Sequence, residues 1–292
     1  MPPRIKAILA AFLVTFLWAT SWVLIRLGLK DIPPLIFAGL RYMIATIILI
    51  PFCIRTILSK RVKVITGTQW FKLIALGLTF YFIAQGAQYI GLQRLPTMTV
   101  SMLLNIISIV VAFMGLMLLS EKPTMLQWIG VLLNFVGLNM FFLPYSFSNY
   151  QVIGIIIVLI GMLGGSTGMI IGRDLNRKHD IPPVFITCVS MLVGSSCLLI
   201  TGLIVEGFPR LSLLNMLYIL WMAGINTALG FTLWNFSSRE LKAVASSVIN
   251  STINIFIALL AWIFLGETLM LNEIFGMLIA GVGIILVQIR AI

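Results

Sequence analysis

The chain has 292 residues, of which 61% are hydrophobic and only 9% charged, with a mean hydropathy of +1.14. Soluble domains carry about 25% charged and about 45–50% apolar residues, so this composition excludes an ordinary water-soluble fold and points to lipid as the solvent. The formal net charge of +11 would suggest a nucleic-acid partner in a soluble protein. Here, however, the Lys and Arg residues fall between apolar runs, where membrane topology explains them and no nucleic acid is expected.

Apolar runs lie at 5–29, 35–58, 70–92, 97–119, 124–143, 151–172, 183–205, 213–236, 243–265 and 270–289. Each approaches the roughly 20 residues that a helix needs to cross a bilayer. The reading is an all-α membrane protein with ten transmembrane helices. The first run follows Arg4 and Lys6 but is too long for a secretory leader and lacks its cleavage pattern, so it is read as span 1. Connections are short, the longest being Ser59–Gln69 and Arg173–Asp180, which leaves no room for an extramembrane catalytic domain. With the N-terminus inside, basic residues divide 14 inside to 5 outside. That bias predicts cytoplasmic termini in a multi-pass plasma-membrane protein.

The sequence also repeats itself. Leu95–Phe141 laid over Leu241–Val287 at an offset of 146 pairs Ser101 with Ser247, Ala112 with Ala258, Glu121 with Glu267, Gly130 with Gly276 and Gly137 with Gly283. Asp31-Ile-Pro-Pro34 returns at Asp180-Ile-Pro-Pro183, and Trp18-Ala-Thr-Ser21 lies over Gly164-Gly-Ser-Thr167. The expected organisation is two five-helix repeats, 1–146 and 147–292. An odd number of spans per repeat means the second enters the membrane from the opposite side, so the repeats are inverted. Secondary transporters are built this way, with a substrate site near the midplane and alternating access by exchange of the two halves' conformations.

The motifs Phe16-Leu-Trp-Ala-Thr-Ser-Trp22, Gly39-Leu-Arg-Tyr42, Leu119-Ser-Glu121 and Leu265-Gly-Glu267, in this order, resemble the ten-helix EamA branch of the drug/metabolite transporter superfamily. The resemblance spans essentially the whole chain. It implies movement of small metabolites through a cavity lined mainly by spans 1, 3, 4, 6, 8 and 9, with substrates ranging over amino acids, nucleotide derivatives, sugars and drugs. Small multidrug relatives exchange protons through a membrane-embedded Glu in span 1. This chain has Trp18-Ala-Thr-Ser21 there, so that mechanism does not carry over.

Candidate substrate-binding residues are uncharged. Ser101, Asn105, Ser108 and Ala112 form a stripe on span 4, matched on span 9 by Ser247, Ser251, Asn254 and Ala258, with Asn250 alongside. Their i, i+4, i+7, i+11 spacing places each set on one face. Small and hydroxyl residues also serve helix packing, but mid-span amides need partners, which favours Asn105 and Asn254 as cavity residues. Gln85, Gln88 and Tyr89 in span 3 and Asn226, Thr227 and Asn235 in span 8 offer further donors and acceptors, with Gln85 and Asn226 the candidates. Trp18 and Trp22 lie one turn apart in mid-span 1, where they either stack on a substrate or pack the core. Ser21 and Thr20 stand beside them, with Ser166 and Thr167 at the related place in span 6. Trp70, Trp128 and Trp234 read as interfacial belt residues.

Arg41 is the basic residue well inside an apolar run. It either grips an anion, snorkels to the headgroups or makes a structural bond, and Ser190 replaces it in the second half. Glu121 and Glu267 precede spans 5 and 10, where an acid suits a helix N-terminus. A gate role is the alternative for all three. No carboxylate occupies a midplane, and Cys53, Cys188 and Cys197 show no metal-ligand or disulfide spacing. Neither a metal nor a cofactor is expected.

The functional expectation is a secondary transporter, not an enzyme, for a small neutral or zwitterionic metabolite such as an amino acid, working in efflux. The alternatives are an intramembrane enzyme, for which no nucleophile and base are visible at membrane depth, and a channel or structural membrane subunit. Oligomeric state is open.

Overall fold

The structure is a computed structural model that describes residues 3–59, 65–119, 124–143, 148–177, 181–207, 209–230, 233–234, 237, 249 and 252–288. Among these residues it is helical, without strands. In chain order the helices are α1 (Pro3–Gly28), α2 (Pro34–Leu58), α3 (Gly67–Arg94), α4 (Thr97–Leu119), α5 (Met125–Phe142), α6 (Asn149–Arg177), α7 (Pro183–Val205), α8 (Leu213–Leu229), α9 (Ile253–Leu265) and α10 (Leu271–Gln288). Among the described residues six helices are long and apolar enough to cross a membrane, and Thr97–Ile107, Leu213–Leu229, Ile253–Leu265 and Leu271–Gly283 are shorter apolar stretches. Large apolar side chains such as Ile47, Phe135, Ile160 and Ile255 lie exposed, the arrangement of an integral membrane protein whose outer faces meet lipid.

Local chemistry sets the helix starts, and it does so in duplicate. α2 follows Pro33 and α7 follows Pro182, each with a second proline at the first helical position, where its missing N–H costs nothing. Thr66 caps α3 by accepting from the Gln69 N–H, and Ser212, 146 positions later, caps α8 by accepting from the Asn215 N–H. Both capped helices then widen into π-helical stretches, Gly77–Gln85 in α3 and Met222–Leu229 in α8. These stretches are related by nearly the same offset, and such i→i+5 segments are rare and concentrate at functional sites.

The chain forms two compact units, each drawing helices from both sequence repeats. Met1–Val23, Arg94–Ile155 and Leu229–Ile292 make the first; Leu24–Gln93 and Ile156–Ala228 make the second. In the first unit α5 packs on α10 along a glycine seam. A methyl group added at Gly137 would meet the Ala280 backbone nitrogen at 2.4 Å, one at Gly276 the Phe141 nitrogen at 2.6 Å, and one at Gly283 the Asn134 nitrogen at 2.5 Å. As residue numbers rise along α5 they fall along α10, so the two helices are antiparallel.

In the second unit α2 packs on α7 the same way. Gly202 lies against Ile36 and Gly39 against Leu199, while Cys53 and Cys188 share a buried cluster at the other end. The α6 glycines Gly161, Gly164 and Gly168 receive Ala87, Ile83 and Phe80 of α3, the small-residue contact that brings membrane helices close. All three cysteines are free thiols.

Candidate substrate-binding site

In the first unit, Ser101 and Asn105 of the stripe predicted on span 4 meet Asn254 of the stripe predicted on span 9. Ser101 Oγ donates to Asn254 Oδ1 at 2.7 Å, and Asn254 Nδ2 donates to Asn105 Oδ1 at 2.8 Å. Asn105 Nδ2 in turn reaches the Met102 sulfur at 3.6 Å. Ser101 is buried and both asparagines are half-buried. This uncharged donor-acceptor chain joins α4 to α9 without an ion. Ser247, Asn250, Ser251 and Asn235 lie outside the described residues, as does Glu121.

Trp18 stacks on Trp234 with ring centroids 5.3 Å apart, and Phe16 meets Phe256 edge-on at 5.6 Å. Trp234 therefore packs inward against α1 instead of joining an interfacial belt, because the half-buried Trp18 offers it an aromatic face. Trp70 and Trp128 are exposed near the starts of α3 and α5, as belt residues should be. Ser21 and Thr20 donate to the Trp18 and Leu17 carbonyls of their own helix, and Ser166 and Thr167 to those of Met162 and Leu163. These hydroxyl hydrogens are spent locally. Trp22 is half-buried.

The second unit holds a different cluster, built around Arg41. Its Nε donates to Thr227 Oγ1 at 3.0 Å and its Nη1 to the Tyr89 hydroxyl at 3.3 Å, with the guanidinium over the Tyr42 ring at 5.3 Å. Arg41 does not snorkel, because α3 and α8 supply inward hydroxyl acceptors. The Tyr42 hydroxyl donates to Gln85 Oε1 at 2.6 Å, and the Tyr42 ring meets Tyr81 edge-on. Gln85 and Thr227 sit in the two π-helical stretches, and Asn226, fully buried, is next to Thr227. Tyr42 carried only motif value in the sequence. Its hydroxyl contact needs the α2–α3 packing to be seen.

Two carboxylates act as caps across the fold. Glu267 accepts from the Thr97 and Met98 N–H groups at 2.8 and 3.3 Å, and Glu206 from those of Leu35 and Ile36 at 3.1 Å each. Glu267 thus serves the start of α4, not of α10. The left-handed Gly266 ends α9 and turns the chain there, and Glu273 takes the α10 role by accepting from the Met270 N–H. Among the described residues no cluster of His, Cys, Asp or Glu could hold a metal ion.

Compared with known proteins, residues 5–143 and 152–289 each match the EamA-like transporter family. An uncharacterized Bacillus subtilis transporter, YvbV, is 26% identical over all of this chain and 94% of its own. A probable amino-acid metabolite efflux pump of Salmonella typhimurium is 23% identical over 94% of this chain and 91% of its own. One solved crystal structure superposes with a TM-score of 0.67 at 12% identity, covering 94% of this chain and 95% of that one, a likeness of fold.

Proposed function

The chain belongs to the EamA-like transporter family, and from that premise we propose that it is a secondary transporter exporting a small neutral or zwitterionic metabolite, amino-acid-like, by alternating access. The observation that carries the substrate reading is the uncharged Ser101–Asn254–Asn105 chain between α4 and α9. A ligand meeting it needs neutral donors and acceptors and no strong net charge. The name of the Salmonella relative, "Probable amino-acid metabolite efflux pump", supports the same class.

The mechanism reading rests on the repeats. Two inverted five-helix halves, 1–146 and 147–292, require each span to run opposite to its counterpart. The antiparallel contacts of α5 with α10 and of α2 with α7 support that arrangement, as does the pairing of α4 with α9. Inverted halves of near-equal energy can exchange conformations and so open a central site to one side at a time. In this reading the protein sits in the plasma membrane with both termini cytoplasmic, and it works without a cofactor.

Ligand-dependent thermal stabilisation of the purified protein tests the substrate class, since a ligand that binds the folded state raises the melting temperature by mass action. The panel is amino acids, nucleosides, sugars and cationic drugs. Stabilisation by zwitterions is the expected result. Stabilisation by sugars or nucleosides alone contradicts it.

A further inference from the structure

We propose that Arg41 is the anchor for a carboxylate on the transported solute. This rests on the amino-acid-like reading above and deepens it by naming the group recognised and the residue that recognises it. The basis is a buried cation with no anionic partner among the described residues. Arg41 is 5% exposed and is the one charged side chain buried among the described residues. The ion pair seen among those residues is Lys72 with Asp174, which leaves Arg41 out.

Its partners Thr227, Tyr89 and Tyr42 are neutral. They orient the guanidinium but do not cancel its charge. A guanidinium carries five N–H donors in a planar fork, and bonds from Nε and Nη1 use two of them. The remaining donors can take a carboxylate in the bidentate manner for which Arg is suited. An uncompensated charge at membrane depth is expensive and is kept where it has work to do.

The fold itself does not demand the charge. At the repeat-related position of α7 stands Ser190, buried, whose hydroxyl donates to the Ile186 carbonyl at 2.6 Å. The same chain therefore packs this site once with a neutral side chain and once with a cation. A single guanidinium also suits a monoanionic carboxylate better than a phosphate dianion, which would call for further basic groups.

The proposal takes the approach to the residue along the same helices. A cavity of about 400 Å³, lined by Leu29, Lys30, Pro34, Gln93 and Glu206 among others, sits at the start of α2 and the end of α3. Pro34 is two helical turns before Arg41 on one stripe of α2, and Gln93 one turn beyond Tyr89 on α3. Between them Phe37 and Tyr89 pack edge-to-face with centroids 5.3 Å apart. In the proposal the carboxylate passes this aromatic pair on its way to the guanidinium.

The test compares thermal stabilisation of the purified protein by L-leucine and L-phenylalanine with that by isopentylamine and phenethylamine, the same side chains without the carboxylate. The buffer anion is methanesulfonate, with chloride added in a separate series. The expected result is stabilisation by the amino acids and none by the amines, with the apparent amino-acid Kd at least ten-fold weaker in Arg41→Gln and partly restored in Arg41→Lys. If Arg41→Gln does not fold, Thr227→Val and Tyr89→Phe, which each remove one bond to the guanidinium, should weaken amino-acid binding several-fold.

Equal binding of amino acid and amine overturns the assignment, as do unchanged affinities in the folded variants. Full stabilisation by chloride alone also overturns it, making the residue an inorganic-anion site. Stabilisation of wild type by none of the amino acids, but by a sugar or nucleoside, instead defeats the substrate reading beneath it. The two failures are thereby told apart.

Discussion

Asn134 and Ala280 stand 146 positions apart, the offset of the internal repeat, and they meet directly: Asn134 Nδ2 donates to the Ala280 carbonyl at 3.2 Å. A residue that touches its own counterpart lies on or beside a local two-fold axis. The glycines Gly130, Gly137, Gly276 and Gly283 flank this contact and let the two backbones close up. The duplication read in the sequence is thus also the contact surface of α5 with α10.

That seam makes a paired prediction. A Cβ at Gly137 would come within 2.4 Å of the Ala280 backbone nitrogen, whereas one at Gly281 on the same α10 finds nothing within 4 Å. Gly137→Ala should destabilise by about 1–3 kcal/mol through overpacking. Gly281→Ala should be neutral or stabilising by up to about 1 kcal/mol through helix propensity. Thermal unfolding of both variants in detergent checks this, and equal shifts would contradict the packing described.

Asn254→Leu should abolish transport while leaving folded protein in the membrane. It removes the shared partner of Ser101 and Asn105, at a cost of about 1–3 kcal/mol for polar groups left unpaired. Transport should fall at least about ten-fold, the scale of 1.4 kcal/mol lost in binding. Uptake into vesicles normalised to protein content measures it. Undiminished transport at equal expression would remove Asn254 from the site.

Glu267→Ala should lower stability by about 1–2 kcal/mol, because the Thr97 and Met98 N–H groups at the start of α4 lose a charged cap. Glu267→Gln should fall between, since an amide oxygen still accepts without the charge. Glu206→Ala should behave alike through Leu35 and Ile36. Melting temperatures of the three variants decide it, and a Glu267→Ala protein as stable as wild type would show that the cap contributes nothing.

How much of this was legible follows from the range of each interaction. Span positions, the repeat and the Ser101, Asn105 and Asn254 faces follow from periodicity, which is local. The caps by Glu206 and Glu267 span about 170 residues in sequence, so Glu267 read as the start of its own next helix. Arg41 could be singled out as a cation among apolar residues, but Thr227 and Tyr89 reach it only through the packing of α2 with α3 and α8. The π-helical stretches have no residue signature at all. Gly77–Gln85 and Met222–Leu229 look in sequence like any apolar helix, and only their shared place in the repeat marks them once seen.

The central claim is carrier-mediated movement of an amino-acid-like solute. Its most direct test is counterflow in proteoliposomes loaded with unlabelled amino acid and supplied with a trace of the labelled one outside. The account predicts transient, saturable accumulation of label above equilibrium, dependent on the internal amino acid and lost in Asn254→Leu. Flux that rises linearly with concentration and shows no acceleration by internal substrate would contradict it and describe a pore.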